Sequence, residues 1–462
     1  ELDAGMDRQL TRLLERGDMT GKTKETTPLY EPRGIAAQRL LLIGLGARAK
    51  ADQGGLFTAA AVAARELTTK PIQRLAFLLP DAGPKLAAET TAALIGAGMW
   101  HGSEGAGLRK SKPERFAPRE LGLIAWPGAN QGAVERGARR AEVEGRAVSL
   151  ARELVNLPPC DLYPETFANR ARDVAQQTGL ECVVLDERDL AAERMNALLA
   201  VARGSDQPPR LVVLRYRGRQ TGPTLGWVGK GVTFDSGGLS LKTTDQMVDM
   251  KCDMAGAATV LAAMQALAEE KVPVNVLGVM ALVENLPSGK AMKLGDVLHA
   301  RNGKTIEVLN TDAEGRLILA DALAYTVDQK VDHLVDLATL TGACIVALGM
   351  DVAGVMTNDE TWSARVQAAA QAAGEKLWPL PMDAHYAEMI KSDVADMKNT
   401  GGSRWAGAIS AAKMLEEFVG TTPWAHLDIA GPAWAEKDNV VRGAGGTGFG
   451  VRTLVELARH YP

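Results

Sequence analysis

Cysteine is scarce in this chain, and its cysteines form no metal-binding or disulfide pattern. Cys160, Cys182, Cys252 and Cys344 are widely separated among 462 residues, and no C-x-x-C pair occurs. This distribution argues against a cysteine-rich zinc site and against a disulfide scaffold. It is typical of thiols in a reducing compartment, so we expect a cytoplasmic protein.

The chain also lacks a long apolar run and an excess of charge of either sign. No run of about eighteen apolar residues occurs, so the sequence predicts no transmembrane helix and no membrane partner. The formal net charge is −4, which provides no general attraction for nucleic acid or anionic lipid.

What the chain does contain is enough apolar material for two cores, since 46% of its residues are hydrophobic. Short apolar strands alternate with helix-like runs, which indicates an α/β fold with parallel strands. The N-terminal strands are expected at 39–44, 75–79 and 121–125, with helices at 57–67 and 85–97 between them. The clearest C-terminal strands are expected at 211–216, 272–282 and 333–337.

A charged, helix-forming segment separates the two halves of the pattern and stops at Pro158-Pro159. We interpret it as a linker helix. The predicted architecture is α/β with two domains: a smaller N-terminal α/β domain and a larger C-terminal α/β catalytic domain with a central mixed sheet flanked by helices. The predicted limits are 1–131 for the first domain, 132–159 for the linker helix and 160–462 for the catalytic domain.

The most informative segment is residues 310–317, Asn-Thr-Asp-Ala-Glu-Gly-Arg-Leu. Asp312 and Glu314 precede Arg316 and a mostly apolar, helix-like run. Carboxylates at a helix N-terminus either cap the helix or hold a metal cation. Arg316 adds a fixed positive charge whose planar fork suits a small anion.

A second polar cluster, residues 228–242, favours a functional site over a simple cap. An apolar strand is expected to end just before Lys230, so that Lys230 and Asp235 lie in a glycine-rich loop closed by Lys242. Asp253 heads a further helix-like run. Taken singly, each of these residues has an ordinary interpretation as a cap, a turn or a solvated charge.

These segments resemble the signature blocks of the leucine aminopeptidase (cytosol aminopeptidase) family. The blocks occur in the family's order: ARELVNLPPCDLYPE (151–165), VGKGVTFDSGGLSLK (228–242), MKCDMAGAA (250–258), NTDAEGRL (310–317), TLTGA (339–343), RWAGAISAAKMLEEFV (404–419) and WAHLDIAGPAW (424–434). The resemblance covers residues 150–455 well and the N-terminal part loosely. It implies a metal-dependent aminopeptidase that acts on peptides.

The resemblance also implies two adjacent divalent cations. Their ligands would be Lys230, Asp235, Asp253 and Glu314 for one cation, and Asp235, Asp312 with its backbone carbonyl, and Glu314 for the other. A lysine can be a ligand only as the neutral amine, which neighbouring dications favour by lowering its pKa. The oxygen-rich donor set favours Mn²⁺ or Mg²⁺ and also admits Zn²⁺. The sequence departs from the family at Thr243, where proline is usual.

Lys242 and Arg316 match the family's two catalytic positions. The resemblance implies that the free amine of the peptide binds one cation, which selects N-terminal residues, and that Lys242 stabilises the oxyanion. Arg316 would hold a bicarbonate ion that relays a proton, near backbone groups of Ala313, Gly315 and Leu340. The expected substrate-binding residues are Met250, Thr339, Leu340, Gly342 and Ala430. They would form an apolar pocket suited to leucine or methionine, and the family's habit implies a homo-hexamer.

Two other classes of function are alternatives. Some relatives also bind DNA, and a basic patch at Arg109–Arg119 could serve that role. The stretch Gly44-Leu-Gly46-Ala-Arg-Ala49 fits a dinucleotide fingerprint and would suit a nucleotide-dependent oxidoreductase. A plain β–turn–α connection also favours glycines at these positions.

Overall fold

The computed structural model describes residues 2–47, 49, 52–81, 86–105 and 108–462. The chain divides into two units, one with residues up to Arg146 together with Lys437–Ala444, the other with Ala147–Glu436 and Gly445–Pro462. The division lies within the helix expected as a linker, and the domain limits at 131 and 159 stay predictions. No pattern in the sequence indicated that residues 437–444 belong to the first unit. There, Arg65 donates from Nε to the carbonyl oxygen of Asn439 at 2.9 Å.

The first unit contains helices and two small sheets. Its elements are α1 (Leu2–Gly5), α2 (Gln9–Arg16), β1 (Thr26–Tyr30), β2 (Arg39–Ile43), α3 (Gln53–Leu67), β3 (Arg74–Leu78), α4 (Ala88–Ser103), β4 (Glu120–Ile124) and the first part of α5 (Gln131–Asn156). Helices α3 and α4 approach closely because Gly98 and Gly102 lie against the backbone carbonyl groups of Phe57 and Ala61, where a Cβ atom would collide.

The parallel sheet expected in this unit is only partly present. β3 and β4 pair in parallel, as the alternating pattern predicts. The placement of β2 with them was wrong, since β2 pairs antiparallel with β1, a strand that the sequence analysis missed. The connection 31–38 is too short for a crossover helix and suits antiparallel neighbours.

The glycine loop that resembles a dinucleotide fingerprint packs against its own chain. A Cβ atom at Gly44 would collide with the backbone at Lys22, and Gly44 N–H donates to the carbonyl oxygen of Glu25 at 2.8 Å. The helix after it begins only at Gln53, and residue 48 of the motif lies outside the described residues. The described part of the loop therefore offers no helix N-terminus for a pyrophosphate.

The second unit carries the large sheet and the remaining elements. Its elements are α6 (Pro164–Thr178), β5 (Glu181–Leu185), α7 (Glu187–Ala192), α8 (Asn196–Ala202), β6 (Arg210–Arg217), β7 (Thr224–Asp235), α9 (Thr244–Met247), α10 (Ala255–Glu270), β8 (Asn275–Asn285), β9 (Val297–His299), β10 (Thr305–Glu307), α11 (Gly315–Asp328), β11 (His333–Ala338), α12 (Gly342–Leu348), β12 (Ala353–Thr357), α13 (Glu360–Ala373), β13 (Leu377–Pro379), β14 (Met397–Lys398), α14 (Gly407–Glu416), β15 (Trp424–Asp428), β16 (Trp434–Ala435), β17 (Gly445–Gly446) and α15 (Val451–Arg459). In the described residues, no helix is both long enough and apolar enough to cross a bilayer.

The central sheet is mixed and has the order β13-β12-β15-β11-β7-β8-β6-β5. The four middle strands β15, β11, β7 and β8 are parallel, and antiparallel pairings join them to the strands on either side. β8 begins at Asn275, three residues later than predicted, because Pro273 has no N–H to donate to a ladder. Parallel strands end at the same edge of a sheet, so the loops after these four strands meet there.

Alternate residues of β7 contact different helices. Val228 and Val232 are fully buried in a cluster with residues of α8, α11 and α14. Gly229 instead faces α10, where a Cβ atom would lie 2.6 Å from the Cα atom of Ala257. This alternation places the N-terminal ends of α10 and α11 beside the end of β7.

Candidate metal centre

Lys230 and Asp235 lie on strand β7 itself, which corrects the expectation of a glycine-rich loop. β7 continues to Asp235 and pairs with β8 up to Asn285. Gly229 and Gly231 do not interrupt the strand. Because they lack a side chain, Ala257 can approach Gly229 closely and the backbone of β8 can approach Gly231 closely.

An irregularity in β7 brings the two side chains to one site. Lys230 and Asp235 are five residues apart, so a regular strand would direct them to opposite faces. The register with β8 shifts between Val232 and Phe234, which is the signature of a β-bulge. The extra residue reverses the alternation, and Asp235 therefore reaches the same side of the sheet as Lys230.

Three carboxylates form a compact group at this end of the sheet. Asp235, Asp312 and Glu314 each offer an oxygen atom within 4.8 Å of the others, the one such group of potential ligands found among the described residues. Asp235 and Glu314 are buried, and Asp312 is partly exposed. The loop 310–314 and the end of β7 thus converge, as the sequence predicted for these acids.

Asp253 lies outside that group but is joined to it by Lys230. The Lys230 Nζ atom lies 2.7 Å from Asp253 Oδ1 and 3.0 Å from Glu314 Oε1. Thr339 Oγ1 also donates to Asp253 Oδ1 at 2.7 Å. Glu314 directly precedes α11, and a Cβ atom at the next residue, Gly315, would collide with Cε of Lys230, so that a larger residue would require the Lys230 side chain to shift.

Two ammonium groups neutralise these acids. The Lys242 Nζ atom lies 2.6 Å from Asp235 Oδ2 and also donates to Asp312. Burial alone would lower the pKa values of Lys230 and Lys242, but the surrounding carboxylates outweigh burial and raise both. Both lysines therefore carry a full positive charge in this arrangement.

Burial dominates the behaviour of the acids. Loss of solvent raises the pKa values of Glu314, Asp253 and Asp312, and the neighbouring Asp235 charge adds to the effect, while the lysines oppose it. In the described residues, Oδ2 of Asp253 and Oε2 of Glu314 are buried without a hydrogen-bond partner. Buried carboxylate oxygens are costly when unpaired, so these two atoms fit a cation as their partner.

Buried polar side chains join the end of β7 to the loop 310–314. Asn285, at the end of β8, donates from Nδ2 to Asp235 Oδ1 at 2.8 Å and to the carbonyl oxygen of Thr311 at 3.0 Å. Thr311 Oγ1 donates to the carbonyl oxygen of Gly237 at 2.7 Å. Gly237 has φ +85°, and a Cβ atom there would lie 2.8 Å from Asp312 Oδ1. The sequence analysis missed Asn285, which could have been suspected from its position at the end of a parallel strand.

Arg316 lies on the first turn of α11 and is buried, with 9% of its surface exposed. Burial lowers the pKa of Arg316 to about 10, and the charges of Glu314 and Asp428 oppose that change, so the guanidinium stays charged at neutral pH. Among the described residues, its Nε atom is buried without an acceptor. An unpaired, charged donor of this kind suits a small anion.

The expected substrate-binding residues surround the same edge of the sheet. Thr339 and Leu340 follow β11 and are half-buried, and the Thr339 carbonyl oxygen accepts from Lys230 at 3.0 Å. Met250 begins a 3₁₀ turn before Asp253 and is half-buried. Gly342 begins α12 and is exposed, with open space where a Cβ atom would stand.

Asp428, which the sequence analysis did not select, orders this region. The carboxylate is fully buried at the end of β15. It accepts hydrogen bonds from the backbone N–H groups of Leu340 and Ala430, both at 3.2 Å, and from Thr341 Oγ1 at 2.6 Å. Asp428 therefore joins the loops that follow β11 and β15. The Leu340 N–H group is already engaged there and is not free for an anion.

Thr243, at the position where proline is usual, lies directly before α9. Its backbone N–H group donates to the side chain of Gln246 at 3.2 Å, at the start of α9. Lys242 is fixed from the other side, since its N–H group donates to the carbonyl oxygen of Ser236 at 2.9 Å.

Comparisons with known proteins agree with this geometry. Residues 149–455 match the catalytic domain of the cytosol aminopeptidase family, and residues 1–112 match its N-terminal domain. Probable cytosol aminopeptidases of Rhodopirellula baltica and Syntrophotalea carbinolica are 49% and 44% identical to the chain. These alignments cover 95% and 99% of this chain and 84% and 93% of the relatives.

Solved structures give the same result. A mutant of tomato leucine aminopeptidase is 37% identical, with a TM-score of 0.88 over 99% of this chain and 88% of that one. The bottromycin maturation enzyme BotP in complex with Mn is also 37% identical, with a TM-score of 0.86 over 97% and 95% of the two chains. Neither the DNA-binding nor the oxidoreductase alternative gains support from these comparisons. The chain belongs to the cytosol aminopeptidase family and is a metal-dependent aminopeptidase.

Proposed function

We propose that the group of acids at the end of β7 holds two divalent cations and that these residues have the roles expected from the sequence. The proposal is carried by one observation: Asp235, Asp312 and Glu314 each offer an oxygen atom within 4.8 Å of the others, and in the described residues Oε2 of Glu314 and Oδ2 of the nearby Asp253 are buried without a hydrogen-bond partner. The residues that would hold the cations are Lys230, Asp235, Asp253, Asp312 and Glu314. When bound, the cations supply Lewis acidity that activates water and polarises the scissile carbonyl group.

Charge balance supports this assignment. The negative charges of four ionised carboxylates match the positive charges of two dications. Bound dications would also reverse the direction in which the surroundings shift the pKa of Lys230. Carboxylates now raise its pKa. Adjacent dications would lower it and favour the neutral amine that a ligand requires.

Lys242 is proposed to stabilise the oxyanion. Its ammonium group is already held at the edge of the acidic group by Asp235 and Asp312 and keeps 12% of its side chain exposed. Once cations balance those carboxylates, the ammonium is free to donate to a developing negative charge. The hydrogen bond from the Lys242 N–H group to the carbonyl oxygen of Ser236 fixes the loop that carries this donor, which supports a role for it in orienting toward a substrate carbonyl group.

Arg316 is proposed to hold a bicarbonate ion that relays a proton. Its buried Nε atom without an acceptor supports an anion at this position. The substrate side chain would occupy an apolar pocket bounded by Met250, Thr339, Leu340, Gly342 and Ala430, which suits N-terminal leucine or methionine. For the cation, Mn²⁺ is our first choice, since oxygen donors suit it and a similar protein is solved with Mn, with Zn²⁺ and Mg²⁺ as alternatives.

We further propose a homo-hexamer, on the resemblance to the family alone. Sedimentation or light scattering of the purified chain measures its mass directly, and a stable monomer or dimer would contradict the hexamer.

The experiment that tests the site combines metal content with activity on aminoacyl amides. Asp312→Ala and Glu314→Ala should each lose nearly all activity and at least one equivalent of metal. Asp245→Ala, which changes an exposed acid at the start of α9, is the matched control and should behave like the wild type. Full metal occupancy with normal rates in both site variants would refute the assignment.

Substrate blocking tests the role of the free amine separately. Leucine amide should be cleaved and N-acetyl-leucine amide should not, because acetylation removes the amine that binds a cation. Equal rates for the two amides would contradict exopeptidase selection while leaving metal-dependent hydrolysis intact.

A further inference from the structure

A single buried amide outside the central sheet supports the loop that carries Asp312. Strand β14 pairs in parallel with β10 and ends at Lys398. The next residue, Asn399, extends this pairing, since its N–H group donates to the carbonyl oxygen of Glu307 at 2.9 Å. The Asn399 side chain is fully buried.

The Asn399 side chain contacts the loop backbone on both sides of Asp312. Its Oδ1 atom accepts from the N–H groups of Leu309 at 2.9 Å and Asn310 at 3.3 Å. Its Nδ2 atom donates to the carbonyl oxygens of Asn310 at 2.6 Å and Ala313 at 3.4 Å. Two donors and two acceptors of the backbone are thus satisfied by one amide, and this pattern fixes which end of the amide is oxygen.

The loop needs such support because residues 309–313 belong to no helix or strand. Their backbone polar groups must find partners elsewhere, or they would be buried at a cost. Asn285 and Ser240 hold the side of the loop that faces Asp235, through Thr311. Asn399 holds the other side, so the loop is clamped between two independent anchors.

We propose that Asn399 is a positioning residue of the metal site. By fixing the backbone on both sides of Asp312, it sets the positions of Asp312 and Glu314 relative to Asp235 on β7. The hydrogen bonds of its side chain described above all go to backbone groups, so it acts through the backbone. This inference rests on the proposed function, since it assigns to Asn399 the placement of residues proposed there as ligands.

The test replaces Asn399 and measures metal binding directly. Asn399→Ala removes the whole clamp, and Asn399→Asp keeps the acceptor while it loses both donors. Residues that orient metal ligands typically cost about 10–100-fold in metal affinity or activity when changed. We expect Asn399→Ala to weaken Mn²⁺ binding, measured by calorimetry and by metal analysis after dialysis, by about that factor, and excess Mn²⁺ to restore occupancy.

The chain offers a matched control in Asn358. Its amide also links a loop backbone, donating to the carbonyl oxygen of Thr422 at 3.0 Å and accepting from Trp424 N–H at 2.8 Å. This contact lies at the start of β15, whereas Asp428 and the metal site lie at its end. Asn358→Ala should therefore lower the melting temperature without a change in Mn²⁺ affinity.

The outcomes separate a positioning role from a purely structural one. Weaker Mn²⁺ binding by Asn399→Ala, at a melting temperature no lower than that of Asn358→Ala, supports the proposal. Wild-type Mn²⁺ affinity and kcat in Asn399→Ala overturn it, whatever the melting temperature. If Asn399→Ala does not fold, Asn399→Asp is judged by the same two measurements. Asp312→Ala and Glu314→Ala are included because full metal occupancy with normal rates in both would refute the site itself, whereas loss of metal in these variants beside a normal Asn399→Ala refutes the positioning role alone.

Discussion

Replacement of Lys242 by methionine separates two effects of its ammonium group, the competition with cations for carboxylates and the proposed donation to the oxyanion. In the structure, Nζ lies 2.6 Å from Asp235 Oδ2 and donates to Asp312, so this charge occupies carboxylates that we assign to cations. Methionine keeps the length and apolar stem of the side chain and removes the charge. A competing cation is thereby lost from the ligand group, while every proposed ligand stays in place.

The expected effects on binding and on catalysis therefore have opposite signs. Removal of the ammonium should leave Mn²⁺ affinity equal to that of the wild type or higher. It should also remove the proposed donor to the oxyanion, and the loss of one such donor typically costs about 10²–10³ in kcat, or about 3 to 4 kcal/mol. Because the interaction strengthens only in the transition state, KM should stay within about threefold.

The assay combines steady-state hydrolysis of leucine amide with metal titration of the same preparations. Lys251→Met is the matched control, since Lys251 Nζ donates to the carbonyl oxygen of Asn156 at 3.0 Å rather than to a site acid. Metal binding more than about tenfold weaker in Lys242→Met would show that the lysine organises the ligands, on the scale of such support residues. An unchanged kcat would refute the oxyanion role.

Three further changes test other parts of the molecule. Arg316→Met should keep its metals, and its residual activity should not respond to added bicarbonate; a surviving response would place the anion elsewhere. Asp428→Leu should raise KM for leucine amide at least about tenfold and leave metal content unchanged, because the carboxylate joins the loops of Leu340 and Ala430. This factor is the typical effect of removing a residue that orients its neighbours in a site, and an unchanged KM would contradict the role. Burial raises the pKa of Asp321 to about 7, so folded Asp321 binds its proton more tightly than the unfolded chain and stability should fall as the pH rises from about 4 to 7. Relative to the wild type, the free energy of unfolding of Asp321→Asn should increase across that pH window by a few kcal/mol, at about 1.4 kcal/mol per pKa unit. Denaturation at several pH values measures this difference, and a difference that does not change with pH would refute the reasoning.

The position of three proposed site residues beside a helix N-terminus could be predicted from the sequence, because their motif is local. Asp312, Glu314 and Arg316 precede or begin a helix, as the apolar run after them indicated. The placement of Lys230 in a loop was wrong because glycines were interpreted as breakers. Inside β7 they instead serve close packing, which depends on a helix and a neighbouring strand that are distant in sequence.

The bulge in β7 could not be predicted from the residues that form it. Val232, Thr233 and Phe234 are ordinary strand formers, and the register shift becomes visible only against β8. Asn399 was missed for a related reason. An asparagine in a polar loop is usually a turn residue, and its value as a clamp depends on backbone groups that the fold brings from elsewhere.

The two lysines of the site have a role in folding that does not depend on catalysis. Four carboxylates grouped at the end of one strand repel one another, and burial adds to the free-energy cost of keeping them ionised. Lys230 and Lys242 reduce that cost within the folded chain, each in contact with two acids. The same contacts compete with cations for the carboxylates. The affinity of the site for metal is therefore the difference between the attraction of the acids for the cations and their attraction for the lysines. Substitution of Lys242 should therefore change folding and metal binding in opposite directions, whereas substitution of Lys230 also removes a proposed ligand and should weaken both. The two properties must be measured separately before either lysine is assigned a role.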